Sequence, residues 1–226
     1  MSPRLLRLAL GVATGLLAAL LYLGVRGTGP SAAGPSAPPD PFFADPGAAP
    51  PLRLQDTEGE WVTLDRYRGR VVALFFGYTN CPDVCPITLA QLARVQSEID
   101  PEGDDLQIVF VSLDPARDTS EVLDRFAARL HPDLVALTAP VDTLRPQVLD
   151  YGIGFVYRPL RGGPADSLVT LDGQVADESA LGDDYLVDHT ARTFLIDRDG
   201  RLVAQILPTT QSDALRDALR RALDAP

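Results

Sequence analysis

From residue 52 onward, hydrophobic positions fall into runs of two alternating periods. Two short alternating runs come first, Leu52-Arg53-Leu54-Gln55 and Trp61-Val62-Thr63-Leu64, with Glu58-Gly59 between them, and this spacing predicts a β-hairpin. Val71-Val72-Ala73-Leu74-Phe75-Phe76-Gly77-Tyr78 is continuously apolar and predicts a buried strand. From Thr88 to Ile99 the apolar positions Leu89, Leu92, Ala93, Val95 and Ile99 recur at helical spacing. The pair then repeats, with a second buried strand over Leu106 to Leu113 and a helix from about Ser120 to Leu130. A shorter strand over Leu134 to Thr138 and a helix over Val141 to Tyr151 follow. Between Gly154 and Tyr185 the pattern breaks into short β-like pieces rich in Gly and Asp, the mark of an insertion. Beyond it, Thr193-Phe194-Leu195-Ile196 and Leu202 to Leu207 flank the turn Asp197-Arg198-Asp199-Gly200, and a final amphipathic helix runs from about Ser212 to Leu223.

Strands alternating with helices imply right-handed crossovers and a mainly parallel central sheet. A hairpin, then strand-helix-strand-helix, then a β-hairpin and a closing helix is the plan of a thioredoxin-like α/β fold, here with an inserted β-hairpin region. Residues 52–226 have the length of one domain with a proper core.

The chain ahead of residue 52 has a different character. Arg4 and Arg7, in a tail of residues 1–7, precede an uncharged apolar stretch at 8–25, which if helical spans about 27 Å and is just long enough to cross a bilayer. Arginines before the span favour a cytoplasmic N-terminus with the bulk of the chain outside, although Arg26 on the far side weakens the signal. The alternative is a cleaved secretory signal with Ser31-Ala32-Ala33 as its cleavage site. Both deliver the domain to an extracytoplasmic space, where thiols can be oxidised. Residues 26–51 are dominated by Gly, Ala, Ser and Pro, with eight of the twenty prolines, and predict an extended linker. Phe42-Phe43 is its apolar exception and a candidate for docking on the domain.

Charge narrows the partners. All 31 acidic residues and 17 of the 20 arginines lie beyond residue 39, a formal balance of −14 that excludes nucleic acid.

The candidate chemistry is in Cys81-Pro82-Asp83-Val84-Cys85-Pro86, which holds the only two cysteines and lies where the central strand hands over to a helix. The positive end of a helix favours thiolate, the form that binds metal or attacks disulfides. Either Pro82 or Pro86 suits the first helical position. A structural disulfide closing so short a loop would stabilise little, which leaves metal binding or redox chemistry. His189, one of two histidines, sits just before the penultimate strand, on the segment that faces the cysteine turn in a thioredoxin-like fold. Arg192-Thr193-Phe194 occupies the place where such proteins carry a cis-proline, which argues against an ordinary disulfide oxidoreductase. His131 reads as a helix-end residue.

Three motifs in order, Phe76 to Pro86, Ser112-Leu113-Asp114-Pro115-Ala116-Arg117-Asp118-Thr119 and Tyr185-Leu186-Val187-Asp188-His189-Thr190, resemble the Sco/SenC family of cytochrome c oxidase assembly proteins. The resemblance covers nearly all of the domain and implies copper ligands at Cys81, Cys85 and His189. Two thiolates and an imidazole suit Cu(I), and the imidazole also suits Cu(II); zinc usually takes a fourth ligand. Asp188 is a candidate for steering the imidazole, and Asp114, Arg117 and Asp118 for a local ion pair at the rim. The implied function is a copper metallochaperone for the dinuclear copper centre of cytochrome c oxidase subunit II, single-pass in a bacterial cell membrane with its domain outside. Another copper chaperone or a thioredoxin-like reductant is the expected upstream partner. The alternative is an enzyme, a thiol-disulfide reductase that keeps the cysteines of subunit II reduced through Cys81 and Cys85.

Overall fold

The computed structural model describes residues 40–160 and 184–225. The expected tail, the apolar span at 8–25 and the linker up to residue 39 lie outside the described residues, as does the middle of the insertion. Among the described residues no helix is long and apolar enough to cross a membrane.

In chain order the elements are β1 (Phe42–Ala48), β2 (Arg53–Gln55), β3 (Trp61–Thr63), a short 3-10 turn (Leu64–Tyr67), β4 (Val71–Gly77), α1 (Val84–Ile99), β5 (Leu106–Ser112), α2 (Ser120–Leu130), β6 (Val135–Leu137), α3 (Val141–Leu149), β7 (Phe155–Pro159), β8 (Tyr185–His189), β9 (Thr193–Ile196), β10 (Arg201–Ile206) and α4 (Ser212–Leu223). Six strands form one sheet in the order β1-β10-β9-β4-β5-β6, while β2-β3 and β7-β8 are separate antiparallel ribbons. Every residue of β4 and β5 is buried, which explains their unbroken apolar runs, and Phe75, Phe76, Phe110 and Phe194 fill the centre of the core.

The sheet is mixed, not mainly parallel. β4, β5 and β6 are parallel, joined by helical crossovers, but β9 runs against β4, and β10 and β1 continue antiparallel. A hairpin-joined pair such as β9-β10 is antiparallel by construction.

The folded domain also starts earlier than residue 52. β1, drawn from the proline-rich stretch expected as linker, pairs with β10 at the sheet edge. Phe42 lies under the Arg221 guanidinium at 4.0 Å, and Arg221 is paired with Asp40 at 2.9 Å. A strand containing Pro46 is tolerated at an edge, where one side of the backbone needs no partner, and its register breaks between Phe42 and Gly47.

The carboxyl ends of β4 and β5 and the start of β9 converge at one edge of the sheet, since Phe75 pairs with both Phe110 and Thr193. That edge carries the cysteine turn and the segment leading from His189.

Candidate metal centre

Helix α1 begins at Val84, one turn before the hydrophobic period alone indicates, so Cys85 lies in its first turn and Cys81 in the loop ahead of it. Neither proline holds the first helical position. Pro86 is the third helical residue, whose amide would have no intrahelical acceptor in any case. Asp83 stands at the N-cap, yet its carboxylate makes no capping bond. Sulfur takes that role: the Cys85 N–H donates to Cys81 Sγ at 3.4 Å, and the Asp83 N–H to the same atom.

Both thiols are free, and they are unequal. Cys81 is partly exposed and Cys85 fully buried. Hydrogen bonding between the paired cysteine side chains, helped by the helix-start amides, outweighs burial and brings the Cys81 pKa down to about 5. The same bonding, together with burial, pushes Cys85 up.

His189 stands at the end of β8, with its Nε2 3.7 Å from Cys85 Sγ. Its Nδ1 lies 3.1 Å from the Thr190 carbonyl oxygen. A carbonyl only accepts, so Nδ1 carries the proton and Nε2 presents a lone pair to the sulfur. Burial pushes the imidazole pKa below its ordinary value, which keeps it neutral near pH 7. Tyr78 meets the ring edge-on, with centroids 6.1 Å apart.

The three predicted residues therefore come together, with two sulfurs and one imidazole nitrogen at one edge of the sheet. Among the described residues, however, no group of three His, Cys, Asp or Glu side chains is arranged so that it could hold a metal ion. Asp188 does not steer the imidazole by a hydrogen bond; its carboxylate is held by Arg158 Nε at 2.6 Å and Nη2 at 3.2 Å, on the ribbon face opposite His189. His131 ends α2, with Nδ1 accepting from the Asp133 N–H at 3.3 Å.

The expected ion pair is Asp114 with Arg117 Nε, at 2.6 Å. Asp118 instead accepts from the Thr79 N–H at 2.9 Å, and from the hydroxyls of Thr79 and Ser112 at 2.5 Å each. Gly77 also shapes the site, and no motif singles it out. A Cβ there would lie 2.8 Å from Cys85 Sγ and 3.1 Å and 3.2 Å from the rings of Phe75 and Phe110, so the missing side chain is what lets the thiol seat against β4. Only its place at the strand end hinted at this.

Residues 45–224 match the family model described as SCO1/SenC. The chain belongs to the SCO1/SenC family. It is 30% identical over 178 residues to a putative copper-binding protein of Stutzerimonas stutzeri, covering 78% of each chain. It is also 30% identical over 151 residues to the SCO2-like protein RP587 of Rickettsia prowazekii, covering 67% of this chain. The matched region spans 65% of the Rickettsia protein's length and 45% of that of the mitochondrial SCO2 of Saccharomyces cerevisiae. Among solved structures, apo Sco1 from Thermus thermophilus superposes with a TM-score of 0.64 at 32% identity, covering 80% of this chain and 94% of that one. Yeast Sco1 with copper bound does so with a TM-score of 0.63 at 27% identity, covering 80% and 91%. The mixed α/β architecture is thus the thioredoxin-like fold of SCO1/SenC proteins.

Proposed function

We propose that this protein is a membrane-tethered copper metallochaperone whose cargo, Cu(I), is held by Cys81, Cys85 and His189 and passed to the dinuclear copper centre of cytochrome c oxidase subunit II. The observation that carries the reading is the convergence of the His189 Nε2 lone pair on the Cys85 sulfur, beside a second, partly exposed sulfur. Two thiolates and an imidazole form a soft three-coordinate donor set that suits Cu(I). Family membership and the copper-bound yeast relative support it. Cys81, already thiolate and partly exposed, is the ligand that first meets and last leaves a partner's thiolates during ligand exchange.

The unequal thiols also favour a second reading, a thiol-disulfide reductase. Cys81 thiolate would attack a sulfur of the partner's disulfide, forming a mixed disulfide and releasing one partner thiolate. Cys85, after losing its proton, would then attack Cys81 Sγ, leaving a Cys81–Cys85 disulfide and a partner with both thiols reduced.

Metal analysis of anaerobically purified protein separates the two. One copper per domain is expected, lost in Cys81→Ser and Cys85→Ser because a hydroxyl is a poor ligand for a soft ion. His189→Ala should leave the thiols able to exchange a disulfide while copper retention falls by more than about 100-fold, beyond the range for loss of an outer partner. Normal oxidase assembly by His189→Ala at limiting copper would refute the chaperone reading in favour of the reductase.

A further inference from the structure

The cysteines and the histidine hang from different parts of the fold, the cysteine turn from the end of β4 and His189 from the separate β7-β8 ribbon. Both are fastened to a third segment, the loop Leu113 to Asp118 after β5. On one side the Leu113 N–H donates to the Gly77 carbonyl at 2.7 Å, and Asp118 holds the backbone and hydroxyl of Thr79. On the other side Arg117 Nη1 donates to the Tyr185 carbonyl at 2.9 Å, and its guanidinium lies 3.5 Å over the Tyr185 ring. The Tyr185 hydroxyl donates to Asp114 at 2.6 Å, while the Tyr157 hydroxyl donates to the Leu113 carbonyl at 2.9 Å. Asp114 and Asp118 are both 0% exposed. Burying a carboxylate is costly unless it is fully partnered, and these two direct their partners to the two segments that carry the candidate ligands.

We propose that Asp114, Arg117 and Asp118 are positioning residues for the metal centre. Without touching a ligand atom, the loop holds the cysteine turn on one side and the His189 ribbon on the other, and so sets the separation of Cys85 Sγ and His189 Nε2. This rests on the reading of Cys81, Cys85 and His189 as copper ligands. Arg117 suits the task because its planar fork bonds Asp114 and Tyr185 while stacking on the ring, which a lysine cannot reproduce.

The test uses Arg117→Lys and Tyr185→Phe. The latter removes a single hydroxyl and keeps the measurement open should the former fail to fold. Cu(I) retention against a competing chelator is expected to weaken about 10- to 100-fold, the usual effect of losing a partner outside the ligand shell. Combined with His189→Ala, either variant should cost nothing further, because the loop side facing the ribbon acts through the imidazole; additive losses would overturn the proposal. In the copper-free protein, imidazole nitrogen NMR should show His189 as the Nδ1–H tautomer, and a mixture in both variants. Unchanged His189 signals would also overturn it. If the wild type retains no copper, the chaperone reading fails, while the NMR arm still decides whether the loop holds His189.

Discussion

Proton occupancy distinguishes the three candidate ligands, and it makes copper capture measurable. At pH 7 Cys81 is a thiolate, Cys85 a thiol and His189 neutral. Binding Cu(I) requires deprotonated sulfur and a free imidazole lone pair, so capture should release a single proton, from Cys85, where two ordinary thiols would release two. Titration calorimetry in buffers of different ionisation enthalpy counts that proton, and a count of two at pH 7 would contradict the unequal pair. The same inequality shapes stability. Folding lowers the Cys81 pKa from 9.0 to about 5, so between those values the unfolded chain binds a proton that the folded one does not, and stability rises with pH. Above pH 9 the unfolded chain has lost both thiol protons while the fold retains that of Cys85, and stability falls. His189, depressed below its ordinary 6.5, adds to the loss on the acid side. The Tm of the copper-free protein should therefore peak near pH 9, and Cys81→Ser should flatten both limbs.

The start of α1 shows what periodicity can and cannot reveal about an element. Leu89, Leu92 and Val95 point into the core and made the helix legible from Thr88, whereas Val84 and Ile87 in the first turn are exposed and add nothing to an apolar period. Cys85 is buried there by contact with β4, which no local pattern records. The two strand-helix units, both hairpins and the closing helix were legible for the opposite reason, because burial on one face or both leaves its period in the sequence. β1 was hidden by composition, since an edge strand accepts the prolines that mark a linker. Cys81, Cys85 and His189 were legible as residue types, but the hydrogen bonds that order them were not, because Tyr185 meets Asp114, and Thr79 meets Asp118, only across long separations in the chain. Gly77 is the element-scale test. In Gly77→Ala the new methyl must displace the Cys85 sulfur or two core rings, which overpacking data put at about 1–3 kcal/mol. Urea denaturation should show that loss, with weaker copper retention; a stable variant with unchanged retention would mean that Cys85 is not seated by β4.

At the scale of the whole molecule, a mixed sheet presents its chemistry at one edge, while an acidic exterior keeps the domain soluble: the chain carries 31 acidic residues against 20 basic ones. The apolar stretch at 8–25, with Arg4 and Arg7 ahead of it, motivates the proposed tether. A chaperone that hands copper to a membrane-bound oxidase gains from sharing its membrane, because tethering confines the search for the partner. An acidic domain is also repelled by anionic lipid, so any membrane association has to come from the N-terminal segment and not from surface charge. The two attachments differ in their response to salt, which screens charges over about 10 Å at 0.1 M and leaves an inserted helix untouched. Full-length protein should therefore stay with membranes through a high-salt wash and leave them only in detergent, with its domain open to protease from the extracytoplasmic side. Mature protein beginning near Gly34, recovered from the soluble extracytoplasmic fraction, would show instead that the segment is a cleaved signal.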